Sequence, residues 1–187
     1  MRSFMKVLGA LTAAMLLVAF PLMGQVRGGV EYSIGGGLGV PSGDFNDAFD
    51  IGWHGQLAGT YTLTNIPLAF QIDASLAQFS AGTALDLKQR MFYGTGDILY
   101  KFRIRETVLE PYVIAGGGVY YMDPIGTAST GLGSRTKAGI NGGVGLNFRP
   151  SNVNVFFESR FHHVFHGLSA NSDLQFNDFT AGFRLVP

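Results

Sequence analysis

Between Ile51 and Phe79 the chain alternates with a period of two, and this restricts the fold more than any other feature. Ile51, Trp53, Gly55, Leu57, Gly59, Tyr61 and Leu63 take one parity, and Gly52, His54, Gln56, Ala58, Thr60 and Thr62 the other. After Thr64-Asn65 the alternation resumes with Ile66, Leu68, Phe70, Ile72, Ala74 and Leu76 against Pro67, Ala69, Gln71, Asp73, Ser75 and Ala77. Successive side chains of a strand point to opposite faces, so the segment predicts two long strands, each with an oily and a polar face, joined by a tight turn.

The unit recurs along the chain. The same alternation predicts strands over Gly29–Val40, Gln89–Phe102, Val108–Tyr121, Arg135–Arg149 and Val153–Phe165, and an eighth through Asp178–Leu185. No stretch after residue 24 reads as a helix. Polar loops are expected at Pro41–Asp50, Ser80–Lys88, Met122–Ser134 and His166–Phe176, with short turns at Thr64-Asn65, Arg103–Thr107 and Arg149–Asn152. Long connections at one end and tight turns at the other are the plan of an outer-membrane barrel, its short turns in the periplasm.

The first residues suit export. Arg2 and Lys6 precede the apolar run Val7–Phe20, followed by Pro21 and small residues, which predicts a signal peptide over 1–24 and a barrel domain over 25–187. A membrane anchor is the competing reading, but the run is short for a span of about 20 residues and Pro21 interrupts it. With 13 basic and 13 acidic residues, loss of Arg2 and Lys6 leaves a charge near −2, and no nucleic-acid partner is expected. Absence of cysteine excludes a disulfide framework, a thiol nucleophile and a Cys-based metal site.

Composition and aromatic height decide which face points out. Charged residues are 14% of the chain, against roughly 25% in soluble domains. An eight-stranded lumen is only just filled by side chains, so it suits the Gly, Ala, Ser, Thr and Asn of the polar face better than the Trp and Phe of the other. Trp53, Phe79, Phe92, Tyr121 and Phe165 fall near the outer end, and Tyr32, Tyr61, Tyr100, Phe102, Phe148 and Phe183 near the other. Two such girdles a bilayer apart place the oily face in lipid. The prediction is an all-β, closed, eight-stranded, antiparallel, up-and-down transmembrane barrel, monomeric, surrounded by outer-membrane lipid and lipopolysaccharide.

Three segments carry a family likeness: Gly36-Gly37-Leu38-Gly39-Val40-Pro41-Ser42-Gly43-Asp44-Phe45, Pro111-Tyr112-Val113-Ile114-Ala115-Gly116-Gly117-Gly118-Val119-Tyr120, and Phe157-Glu158-Ser159-Arg160-Phe161-His162. With them the chain resembles the eight-stranded outer membrane β-barrel domain family, OmpA-like in its barrel. The resemblance implies the fold and insertion by the barrel-assembly machinery, and no particular activity. Two departures stand out: no peptidoglycan-binding domain follows strand eight, and the last residues, Phe183-Arg184-Leu185-Val186-Pro187, lack the terminal aromatic typical of substrates of that machinery.

The inward face is expected to collect Glu31, Asp73, Asp97, Glu110, Glu158 and Asp178 with Lys101, Arg135, Lys137, Arg149, Arg160 and Arg184. This balanced set reads as a paired plug rather than an ion path, because an unpaired buried charge costs several kcal/mol. His162, His163, His166 and Ser169 are expected at the outer end of strand seven and in the loop that follows it. His166 and Ser169 with Asp173 can be drawn as the nucleophile–base–acid set of a lipid A deacylase, though the spacing is not that of the deacylase motif. A metal site from His162 and His166 lacks a third ligand. Asp44, Asn46, Asp47 and Asp50 in the first loop are candidate Ca²⁺ oxygens without EF-hand spacing. Gly94, Gly96 and Gly117 are expected on the lipid face, where they ease strand curvature or leave a groove. The reading is a non-enzymatic barrel with no cofactor and a structural or surface-interaction role. The alternatives are a lipid A-modifying enzyme and a narrow pore or conduit for small hydrophobic molecules.

Overall fold

A computed structural model of the chain describes residues 28–82, 86–104, 107–129, 133–150, 153–169 and 172–185. The expected signal peptide lies outside them. Eight strands, β1 (Gly28–Ser42), β2 (Gly52–Leu63), β3 (Leu68–Ser80), β4 (Lys88–Lys101), β5 (Leu109–Ile125), β6 (Arg135–Phe148), β7 (Val153–Ser169) and β8 (Ser172–Leu185), pair in chain order. Every pair is antiparallel and β8 closes on β1. Lipid offers the backbone no hydrogen bonds, and closure leaves no strand edge that would need them.

The registers fix the size of the barrel. From Ser42, the partners run through Gln175, His163, Ile140, Gly117, Gly96, Ile72 and Gly59 and return to β1 at Tyr32, ten positions from the start. At about 3.3 Å per residue and about 4.8 Å between strands, that stagger tilts the strands by roughly 40° and gives a backbone diameter of about 17 Å. Only side chains fit inside.

The alternation is realised as expected. Leu57, Val144, Phe157 and Phe183 point outward and are more than half exposed. Gln71, Asp73, Thr95, Asn147, Arg160 and Arg184 point inward and are buried. Among the predicted girdle residues Trp53 and Phe165 at the outer end, and Tyr32, Tyr100, Phe102, Phe148 and Phe183 at the other, are exposed on the lipid wall. Phe92 and Tyr121 lie side by side there, centroids 6.5 Å apart. Phe79 corrects the expectation: it is fully buried. It shares parity with Asp73, Ser75 and Ala77, so the alternation of β3 turns it inward despite its height.

The expected loop His166–Phe176 is also corrected. β7 and β8 continue past it as a two-stranded ribbon and only residues 170–171 separate them. The register shifts between Val164 and Ser169, where His166 takes a left-handed backbone (φ 54°). The first loop turns inward instead: a 3-10 turn at Gly43–Phe45 drops Phe45 into the mouth, and Phe49 bridges to Ala81.

Candidate functional site

The lumen is filled in layers, and the inward parity of each strand sets them. Nearest the short turns, Glu31 accepts Lys101 Nζ at 2.9 Å and Arg149 Nη2 at 2.8 Å. Arg149 also reaches Glu110 at 2.8 Å. Arg184 lies 3.6 Å from Glu31, its guanidinium over the rings of Phe156 and Tyr112 at 5.1 and 5.6 Å, close enough for cation–π attraction.

At mid-height Arg160 joins three strands. Its guanidinium meets Asp73 at 2.7 Å, Glu158 at 2.6 Å and Asp97 at 3.2 Å. Thr95 donates its hydroxyl towards both aspartates, Asn141 donates to Asp97, and Tyr112 donates to the second oxygen of Glu158 at 2.8 Å. A planar guanidinium presents five donors in a fixed fork, which is why Arg rather than Lys can hold three carboxylates at one level.

Above it an aromatic layer closes the bore. Tyr93 donates to Asp178, which also faces His54 at 3.4 Å and His162 at 3.5 Å. Tyr120 and His162 are hydrogen-bonded at 2.8 Å, and the His162 ring stacks on Phe176 at 4.6 Å. Phe45, Phe49, Phe79, Met91, Met122 and Leu174 complete an apolar plug at the outer mouth.

Ten of the twelve charges expected inside are there. Arg135 is exposed at the outer rim, and Lys137, two positions below it, is half-buried and joins none of these clusters. Both keep inward parity, but they lie beyond the last register pair of β6 with β7, Gly139–Val164. Among the described residues the lumen therefore holds six acids against four bases instead of the expected balance. Sequence reading missed the residues that fill the rest: His54, Tyr93, Tyr112 and Tyr120. All four have the inward parity of their strands, which was the available signal.

The expected catalytic set is not assembled as drawn. Asp173 accepts the backbone N–H of His166 at 2.7 Å, and its side-chain partner is His163, at 3.1 Å. At the tip of the ribbon, the His166 N–H bond, aided by the nearby His163 and His166 side chains, holds the Asp173 carboxyl below the usual carboxylate range. The other ring nitrogen of His163 meets Gln175 at 3.1 Å. Ser169 ends β7, and its side chain lies outside the described residues. His162 is buried in the lumen while His166 is exposed outside it, so the two do not share a metal. Asp44, Asn46, Asp47 and Asp50 are exposed around the first loop. Among the described residues no three His, Asp or Glu are grouped to hold a metal ion. Gly96 and Gly117 are register partners on the lipid wall, with Gly94 beside Val119.

The molecule is thus a closed barrel with an oily outer wall, two aromatic girdles and a lumen filled by polar and aromatic side chains. The family described as outer membrane protein beta-barrel domain matches residues 11–185. The chain belongs to that family. Its place is the bacterial outer membrane. Among solved members of this architecture, Neisserial surface protein A is 15% identical, with a TM-score of 0.64 over 83% of this chain and 96% of that one. Ail, the attachment invasion locus protein of Yersinia pestis, is 20% identical, with a TM-score of 0.51 over 85% and 99%. The outer membrane enzyme PagL is 17% identical, with a TM-score of 0.50 over 83% and 98%. At these identities the likeness is one of fold. No curated protein sequence matches the chain.

Proposed function

We propose that this outer-membrane barrel is a non-conducting, non-catalytic monomer that acts at the cell surface through its outer end. Outer-membrane lipid and lipopolysaccharide surround it, and the barrel-assembly machinery engages it only during insertion. The observation that carries this reading is the Arg160 layer: one guanidinium bound to Asp73, Asp97 and Glu158 spans the bore beneath a second, aromatic seal. A path for ions or small hydrophobic molecules would have to break both. Two proteins of similar fold are named for surface or attachment roles, which supports a surface role here.

One observation favours the second reading, a lipid A-modifying enzyme: His163 and Asp173 pair on the outer rim of a fold that PagL shares. Both ring nitrogens of His163 are engaged, by Asp173 and Gln175, which leaves no nitrogen to activate a nucleophile. Planar-bilayer recording of the purified protein tests the main reading, with no unitary steps expected; discrete steps would make it a pore. Lipid A from cells with and without the protein should have one mass spectrum. Loss of an acyl chain that His163→Ala abolishes would make it an enzyme.

A further inference from the structure

The lipid wall over β1, β8, β7 and β6 is not smooth. A groove of about 530 Å³ crosses it. Its floor runs diagonally over Gly36, Ala181 and Ser159, and Leu38, Phe157 and Phe179 rise beside it. The registers explain the shape. Gly36, Ala181 and Phe157 form one row of outward positions, and Leu38, Phe179 and Ser159 form the next, so the small residues step sideways by one strand between rows.

Directly above the groove the wall changes chemistry. The next outward positions on β8 are Asn177, Gln175 and Asp173, each half-buried. Asn177 donates to Ser42 of β1 at 3.3 Å, Gln175 meets His163 of β7 at 3.1 Å, and His163 meets Asp173 at 3.1 Å. At about 3.3 Å per residue, this ladder extends roughly 13 Å along β8 from Asn177 to Asp173. Polar groups on a lipid-facing wall are costly in hydrocarbon, so they belong at the depth of the outer-leaflet head groups.

We propose that this wall binds one glycolipid of the outer leaflet, with an acyl chain in the groove and its sugar on the ladder. A groove lined by small and apolar side chains with a few polar groups at one end is the usual form of a site for an amphiphile. The polar groups select the head. Two amides, a hydroxyl and a carboxylate can donate to and accept from sugar hydroxyls and an amide-linked acyl group. The head of phosphatidylethanolamine offers these groups no sugar hydroxyls and no amide, so a phospholipid is the weaker occupant. The site lies outside the lumen, and its occupancy does not depend on whether the bore is closed.

The test is a lipid titration of the exported protein in detergent, counting bound copies by native mass spectrometry. Lipid A and phosphatidylethanolamine serve as the two probes. One lipid A per barrel is expected, bound at least tenfold more tightly than phosphatidylethanolamine. Ser159→Leu with Ala181→Leu, which fills the groove, should weaken lipid A binding at least tenfold, and Ser159→Val alone should weaken it less. Gln175→Leu with Asn177→Leu should abolish the preference between the two lipids. Ala74→Leu, on the opposite wall, should change neither, and circular dichroism checks that each variant is folded. Equal or tighter binding of phosphatidylethanolamine by the unmodified protein overturns the proposal, as does absence of lipid A binding. Unchanged lipid A binding in a folded groove-filled variant overturns it too.

Discussion

Arg160 is the residue on which the interior turns. Replacing it with Met removes the only guanidinium within reach of Asp73, Asp97 and Glu158 among the described residues and leaves three carboxylates buried together. Breaking a buried pair from one side costs about 3–5 kcal/mol, and urea unfolding in liposomes should show a loss of at least that order. Arg160→Met combined with Asp73→Asn should recover part of it. Packing is as strict as pairing at this scale. A Cβ at Gly145 would run into the buried Tyr112 ring, so Gly145→Ala should destabilise by about 1–3 kcal/mol in the same measurement. The charges of these layers were legible because alternation assigns them a face. Phe79 was not, since its height suits a girdle while its parity with Asp73 and Ala77 turns it inward. His54, Tyr93, Tyr112 and Tyr120 stood at inward positions, but parity cannot say which carboxylate a hydroxyl or imidazole will find across the bore.

Among the elements, the β7–β8 ribbon departs most from what the sequence suggests. Gly167, Ser169, Ala170, Asn171 and Ser172 have the composition of a loop, yet backbone pairing continues to Ser169 and Ser172. Its local support is Asp173, which accepts the His166 N–H where the register shifts and pairs with His163. Asp173→Ala should speed hydrogen exchange at the His166 amide by an order of magnitude or more while the amides of Phe156–His162 stay protected. Equal exchange in both proteins would assign the ribbon's order to backbone pairing alone. The rim positions of Arg135 and Lys137 have the same origin: strand length beyond the bilayer is invisible to a pattern that records only faces.

For the whole molecule, the ten-position stagger and the filled bore act together. With two seals at different heights, removing one does not open a path. Phe45→Ser with Phe79→Ser should loosen the mouth, yet single-channel recording should still find no steps, because the Arg160 layer remains intact. Steps from this double variant would show that the aromatic seal alone closes the lumen. Strand number, order and face were legible, because eight alternating segments of similar length leave a closed up-and-down barrel as the arrangement that satisfies every backbone group in lipid. The stagger was not, since it depends on side-chain fit across eight separate pairings.

Closure of β8 on β1 also sets how the barrel can form. Seven of its eight seams join neighbours in sequence, each a hairpin that can zip from its own turn. The eighth brings Leu185 to Tyr32, nearly the full span of the chain, and carries the largest loop-closure entropy of all the pairings. Until it forms, any partly assembled sheet has two open edges that hydrocarbon cannot satisfy. Assembly in the membrane is therefore cooperative around this last seam. A fault in the Tyr32–Ser42 or Gln175–Leu185 segments should slow insertion more than an equal fault in a central hairpin.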